Sequence, residues 1–125
     1  MEEERIGKNV VEAALKVHSV LGPGLLENAY QACLAHELVQ SGLEIEHEVG
    51  LPVYYQGNTL DVGYRIDLWI SRKVIIEIKA VERLMPIHKA QLLSYLKLSK
   101  CKLGFLLNFN VVHMRDGIKR VVNGL

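Results

Sequence analysis

The sequence predicts an α/β or α+β fold in which helices pack against a central β-sheet. Three segments have apolar residues at helical spacing, the segments between them alternate or are continuously apolar, and Gly, Pro, Asn and Asp mark the boundaries. The length of 125 residues, with 50% hydrophobic and 23% charged residues, is typical of one globular domain over residues 1–125. A sheet with helices against it is the natural way to cover these apolar faces.

The three helical segments are bounded by residues that begin or end helices. They are Glu4 to Leu21, residues 25–40, and Pro86 to about Lys100. Gly22-Pro23-Gly24 separates the first two helices, and Gly42 ends the second. Pro86 is suited to the first turn of the third helix because its missing amide hydrogen is not needed there.

Strands are expected between the second and third helices and again near the C-terminus. The first group is predicted to form a meander of antiparallel strands over residues 43–49, 51–55, 59–70 and 74–81. After the third helix, residues 103–108 form a compact apolar strand. Residues 111–114 and 118–122 flank Arg115-Asp116-Gly117, which predicts a C-terminal β-hairpin.

Charge is distributed unevenly along the chain. Residues 1–70 contain 4 basic and 11 acidic residues, whereas residues 71–125 contain 11 basic and 3 acidic residues, so the halves carry −7 and +8. Either the two halves pack together and offset each other, or a basic face for a polyanion lies beside an acidic cluster for a cation. Charge alone does not choose between these alternatives.

The sequence favours a cytoplasmic protein. The N-terminus is acidic where a signal peptide would be basic and then apolar. No run approaches the roughly 18 uncharged apolar residues of a membrane span. Cys33 and Cys101 are too few for a disulfide framework and lack the spacing of a zinc motif, so they are expected to be reduced thiols.

The predicted strand 74–81 carries the most informative charged residues. Glu77 and Lys79 are two residues apart, so they share a face of the strand about 6.6 Å apart. Asp67 precedes Glu77 by ten residues on the strand that leads into the tight turn, and hairpin pairing would bring it near both. Either these charges form an exposed cross-strand ion pair, or the two carboxylates hold a divalent cation such as Mg²⁺ or Mn²⁺.

This pattern, an Asp followed by Glu-x-Lys on adjacent strands after a helix, resembles the PD-(D/E)XK nuclease superfamily. The resemblance is closer to its GxxExxY family, whose naming motif is similar to Gly24-Leu-Leu-Glu-Asn-Ala-Tyr30. Later blocks of that family resemble Tyr64–Asp67, Ile76–Ala80, His88–Leu96 and Leu107–Phe109, in the same order. The resemblance implies a restriction-endonuclease-like core with a mixed central sheet flanked by helices.

The resemblance also implies roles at the metal. Asp67 and Glu77 would bind the cation, with the carbonyl of Ile78 as a further ligand, and Lys79 would position or activate the attacking water. Glu27 resembles the additional acidic ligand of RecB-like nucleases. Its alternative interpretation is a glutamate in the first turn of a helix, stabilised by the helix dipole.

Gln91 and Tyr95 resemble the Gln-x-x-x-Tyr motif of the RecB-like group, which lies beside the metal and contacts nucleic acid. They are four residues apart and therefore share a helix face. The alternative is that Tyr95 packs between helix and sheet while Gln91 is exposed. One departure from the superfamily is that Ile66 precedes Asp67, where the superfamily name has proline.

The sequence thus predicts a Mg²⁺- or Mn²⁺-dependent nuclease that hydrolyses phosphodiester bonds in DNA in preference to RNA. Arg83, Lys89 and Lys97 are candidates for contacts with the nucleic-acid backbone. Two alternatives stay open: a nuclease fold without cleavage that acts as a binding or regulatory module, and a homodimer or protein-interaction domain. The mean hydropathy of +0.14 is what favours the last of these.

Overall fold

The computed structural model describes residues 2–125, which form three α-helices and two β-sheets. The helices are α1 (Glu2–Leu21), α2 (Glu27–Gln40) and α3 (Pro86–Ser99). The strands are β1 (Ile45–Gly50), β2 (Val53–Tyr55), β3 (Asn58–Leu60), β4 (Arg65–Ile70), β5 (Val74–Lys79), β6 (Leu103–Asn108) and β7 (Ile118–Val122). A short 3₁₀ turn, Met114–Gly117, precedes β7.

The central sheet is mixed and has the strand order β1-β4-β5-β6-β7. Strands β5 and β6 are parallel, and the other neighbours are antiparallel. A parallel pair needs a long crossover connection, which α3 supplies. The predicted α+β architecture with a restriction-endonuclease-like core is therefore confirmed, and β6 and β7 form the antiparallel pair at its C-terminal end.

Helices cover both faces of the sheet. On one face α1 and α2 pack against side chains such as Ile76 and Phe105. On the other face α3 packs against side chains such as Ile75 and Leu106. Successive residues of a strand point to opposite faces, so both cores draw on the same strands. This two-sided burial explains the uninterrupted apolar run at the start of β5.

The loop between α1 and α2 is held by Tyr30. Its ring is fully buried and stacks on Phe109, with the ring centroids 4.6 Å apart. Its hydroxyl donates a hydrogen bond to the carbonyl of Gly22 at 2.6 Å and accepts one from the amide of Leu25 at 3.1 Å. These contacts set the position at which α2 begins, where Glu27 is the first helical residue.

The predicted meander was wrong in the region of residues 59–70. This segment is broken: β2 and β3 form a separate two-stranded sheet, and β1 pairs directly with β4. The break has a local cause. The side chain of Asp61 accepts a hydrogen bond from the amide of Gly63, and Gly63 has a φ of +82°, which makes a tight turn in place of an extended strand.

The first arm of the predicted C-terminal hairpin was also wrong. Residues 111–113 are bends, and β7 pairs with β6 instead. The chain folds back closely at this point, because a Cβ on Gly117 would lie 2.0 Å from the carbonyl oxygen of Asn108. Met114–Gly117 forms the 3₁₀ turn that leads into β7, so no extended arm over residues 111–114 is present to pair with that strand.

Among the helices of residues 2–125, none combines the length and the hydropathy that a membrane span requires. Both cysteines are free thiols, with Cys101 buried and Cys33 partly exposed.

Candidate active site

Asp67 and Glu77 lie side by side where β4 and β5 separate. The pairing of these strands ends at Leu68–Ile76, one position before the two acids. Beyond that point the amide of Asp67 donates to Oε2 of Glu77 at 2.9 Å, and the amide of Ile78 donates to Oδ2 of Asp67 at 2.8 Å. The two carboxylates therefore replace main-chain carbonyls as acceptors for backbone amides that would otherwise be unpaired. The side chain of Ile78 is buried in the core beneath α1 and α2.

Burial makes both carboxyl groups hard to ionise. Desolvation raises the pKa of Glu77 from its ordinary value of 4.5 to about 8, and the negative charge of Asp67 contributes to the rise. Desolvation also raises the pKa of Asp67, although the hydrogen bond from Ile78 opposes that rise. In both carboxyl groups of this acid pair, Asp67 and Glu77, desolvation therefore outweighs the interactions that favour the charged form.

Lys79 follows Glu77 by two residues and therefore lies on the same side of β5. Its side chain is only partly buried, and its charge opposes the rise of both pKa values at the acid pair. Within residues 2–125, no carboxylate oxygen lies within 4 Å of its ammonium group. The ammonium group is near the acid pair and is not tied to either carboxylate.

An open cleft of about 480 Å³ lies beside Asp67 and is bordered by the start of α2. Glu27 lines this cleft, is exposed, and raises the pKa of both Asp67 and Glu77 through its negative charge. Gln31 connects the helix to the strand, because its side-chain amide donates to the carbonyl of Asp67 at 3.2 Å. The structure thus places Glu27 in the same cleft as Asp67.

Glu48 is a further carboxylate in this cleft that the sequence reasoning missed. It stands opposite Asp67 in the β1–β4 register, at the one position that the pairing skips, and its φ is +48°. Its charge contributes to the raised pKa of Asp67, and Arg65 lies 3.9 Å from its carboxylate. In the sequence, apolar residues alternate with Glu44, Glu46 and Glu48 along residues 43–49, and this alternation predicts only an acidic outer face of the strand. Its approach to Asp67 depends on cross-strand register, which local sequence does not encode.

The side chains around the acid pair fit a hard divalent cation. Asp67, Glu77 and Glu27 offer only carboxylate oxygens, which suit Mg²⁺ or Mn²⁺ better than zinc. Over residues 2–125, no three His, Cys, Asp or Glu side chains are grouped closely enough to form a complete metal site. Mg²⁺ tolerates such an open arrangement, since it is commonly held by one or two carboxylates together with water and substrate phosphate.

Gln91 and Tyr95 line a second depression of about 270 Å³, which we call the Tyr64 groove. It lies between Tyr64 and the outer side of α3, and Ile87 and Leu98 supply apolar walls. Gln91 is exposed, whereas Tyr95 is buried with its ring centroid 5.9 Å from that of Tyr64. Desolvation and then the charge of the nearby acid pair raise the pKa of Tyr95. Tyr95 therefore packs in the core and also adjoins the acid pair.

A mixed sheet covered by helices, with paired carboxylates and a lysine where its central strands separate, defines a nuclease-like class of protein. A family model for the PD-(D/E)XK nuclease superfamily matches residues 4–121. The chain belongs to that superfamily, which indicates a nuclease-like function on nucleic acid. Neither the curated proteins nor the solved structures contained a match to this chain.

Proposed function

We propose that the protein is a Mg²⁺- or Mn²⁺-dependent nuclease that hydrolyses phosphodiester bonds in DNA. The observation that carries the proposal is the acid pair, with Lys79 on the same side of β5 and an open cleft beside it. Within the superfamily we assign the chain to the GxxExxY family, since Gly24–Tyr30 brings Glu27 into that cleft. We further propose that residues 1–125 act as one nuclease domain in the cytoplasm, where both thiols stay reduced.

The acid pair would hold the metal together with Glu27 and the carbonyl of Ile78. Asp67 and Glu77 each use one oxygen to accept a backbone amide, which leaves the other oxygen for a ligand. A bound divalent cation supplies Lewis-acid polarisation of the phosphate and a more acidic water. Lys79 would orient the attacking water and stabilise the negative charge that develops on the phosphate.

Three exposed basic side chains of the second half of the chain are candidates for contacts with the nucleic-acid backbone. Arg83, Lys89 and Lys97 are exposed, and none has a carboxylate partner within 4 Å in residues 2–125. By contrast, Arg72 and Arg120 pair with glutamates of the acidic half of the chain. Part of the charge asymmetry is therefore offset within the fold, and the unpaired part would make DNA affinity decrease with salt.

A cleavage assay on supercoiled and linear DNA, in Mg²⁺, Mn²⁺ or EDTA, tests this function. We expect metal-dependent cleavage by the wild type and a loss of about 100-fold or more in Asp67→Asn and Lys79→Met. Lys73→Met is the matched control, because Lys73 is an exposed lysine in the turn before β5. Cleavage that persists unchanged in both site variants would come from a contaminant and would contradict the proposal.

Mn²⁺ titration without DNA gives a second, independent measurement. We expect Mn²⁺ to bind the wild type and to bind Asp67→Asn more weakly. If the folded wild type binds no Mn²⁺ at all, the proposed chemistry fails and a non-catalytic binding module is favoured.

A further inference from the structure

The Tyr64 groove has the size and lining of a site for one flat ring. Its volume of about 270 Å³ is slightly below the roughly 300 Å³ at which pockets for drug-sized ligands begin. Its walls are mostly carbon, from Tyr64, Ile87 and Leu98, and Gln91 supplies an amide that both donates and accepts hydrogen bonds. This combination suits an aromatic ring with polar groups at its edge.

The Tyr64 ring is accessible for stacking. Tyr64 is 43% exposed, and its ring meets that of Tyr95 at a tilt of 48° and is not stacked face to face on it. Tyr95 is only 5% exposed and holds the base of the groove in place. An exposed aromatic face on a fixed support is the arrangement on which unpaired bases stack.

The groove adjoins the acid pair. Tyr64 lies immediately before β4 and three residues before Asp67. Tyr95 packs in the same core as Ile75, which lies on the Glu77 side of β5. Base and phosphate are neighbouring groups of one nucleotide. A nucleotide with its phosphate at the acid pair could therefore place its base in the adjoining groove. Lys97, three residues beyond Ser94 of the groove, adds an exposed cation on the adjacent helix surface.

We infer that the Tyr64 groove receives an unpaired nucleobase of the substrate, so that the protein acts on single-stranded nucleic acid in preference to duplex. The inference rests on the proposed function for the placement of the phosphate at the acid pair. A base within a duplex is covered on both faces and paired at its edge, and extruding it costs a few kcal/mol. An unpaired base enters the groove without that cost.

The test is binding measured by fluorescence anisotropy in EDTA, which removes cleavage and any dependence on metal. The probes are a labelled 12-nucleotide oligodeoxythymidine, the corresponding oligouridine, and a 12-base-pair DNA duplex. Stacking of one base contributes about 1–3 kcal/mol, so we expect Tyr64→Ala to weaken single-strand binding roughly 5- to 150-fold and duplex binding less than about twofold. Tyr64→Phe keeps the ring and should bind like the wild type.

Tyr54→Ala is the matched control, since Tyr54 is a more exposed tyrosine, at 61%, on the β2–β3 hairpin outside the groove. Tyr64→Leu is a second variant that preserves apolar bulk and removes the aromatic face, and it should lose single-strand affinity as Tyr64→Ala does. The deoxyribose and ribose probes distinguish recognition of the base from recognition of the sugar. A similar loss of affinity for both probes in the Tyr64 variants supports recognition of the base.

The outcomes separate this inference from the proposed function. If folded Tyr64→Leu binds single strands as tightly as the wild type, the groove assignment is overturned, even where metal-dependent cleavage is present. Wild-type protein that binds duplex as tightly as single strands also overturns it. If single-strand preference depends on Tyr64 but no DNA is cleaved in Mg²⁺ or Mn²⁺, the groove assignment stands and the nuclease proposal fails.

Discussion

Replacement of Glu77 by glutamine should change how the stability of the protein depends on pH. The carboxyl group has an ordinary pKa of 4.5 and a folded-state pKa of about 8, mainly because it is desolvated. The folded protein therefore holds this proton more tightly than the unfolded chain does. Its contribution to stability is complete below pH 4.5 and is lost as the pH rises towards 8. Glutamine keeps the shape and the acceptor for the Asp67 amide but does not ionise.

The size of the effect follows from the shift in pKa. Each pKa unit corresponds to about 1.4 kcal/mol, so the wild type should lose on the order of 4 kcal/mol of unfolding free energy between pH 5 and pH 9 in EDTA. For a domain of this length, this corresponds to a fall in Tm of roughly 15 °C that Glu77→Gln does not show. A divalent cation that binds the folded acid pair should recover much of the loss at pH 9 in the wild type alone.

Thermal unfolding followed by circular dichroism, at several pH values in EDTA and in Mg²⁺, measures these differences. Glu82→Gln is the control, because Glu82 is an exposed glutamate just after β5, and this variant should follow the wild type. Parallel curves for the wild type and Glu77→Gln between pH 5 and pH 9 would refute the argument that burial of this carboxyl group opposes its ionisation.

Two further substitutions test how the fold supports the site. Gly117→Ala should destabilise the protein by about 3 kcal/mol or more, because its Cβ would lie 2.0 Å from the carbonyl oxygen of Asn108. Gly50→Ala is the control, since a Cβ there would have nothing within 4 Å, and it should change the unfolding free energy by less than about 1 kcal/mol. Denaturant titrations measure both values. Tyr30→Phe removes both hydrogen bonds of its hydroxyl to the loop before α2 and should cost roughly 1–3 kcal/mol. In the same measurement, the exposed Tyr54→Phe should be neutral, and equal stability of the two phenylalanine variants would contradict the role of Tyr30.

Helix and strand positions were largely predictable because burial imposes a period on the sequence. The helix expected from Glu4 to Leu21 is α1, and the apolar run from Val74 is β5, which both cores bury. The broken segment at residues 61–64 was not predictable from that period. Its turn depends on one side chain of Asp61 and the left-handed backbone of Gly63, which outweigh the strand preference of the apolar residues around them.

The candidate site was predictable in part. Spacing and resemblance singled out Asp67, Glu77 and Lys79, and the register Leu68–Ile76 between β4 and β5 explains why residues ten apart become neighbours. The interlocked hydrogen bonds of the acid pair were not foreseen, because they form only where two strands separate and leave amides without partners. Glu48 was missed for a related reason, since its neighbour Asp67 lies nineteen positions away in sequence.

Local periodicity and the order of the motifs were enough to establish the architecture, the superfamily and a short set of charged residues for the acid pair. Burial, cross-strand register and the docking of α3 against the sheet were needed to place Glu48 in the cleft and Tyr64 beside Tyr95. The physical reason is that periodicity reports which side of an element faces the core. It carries no information on which distant segment will lie opposite, and the chemistry of this surface depends on that pairing.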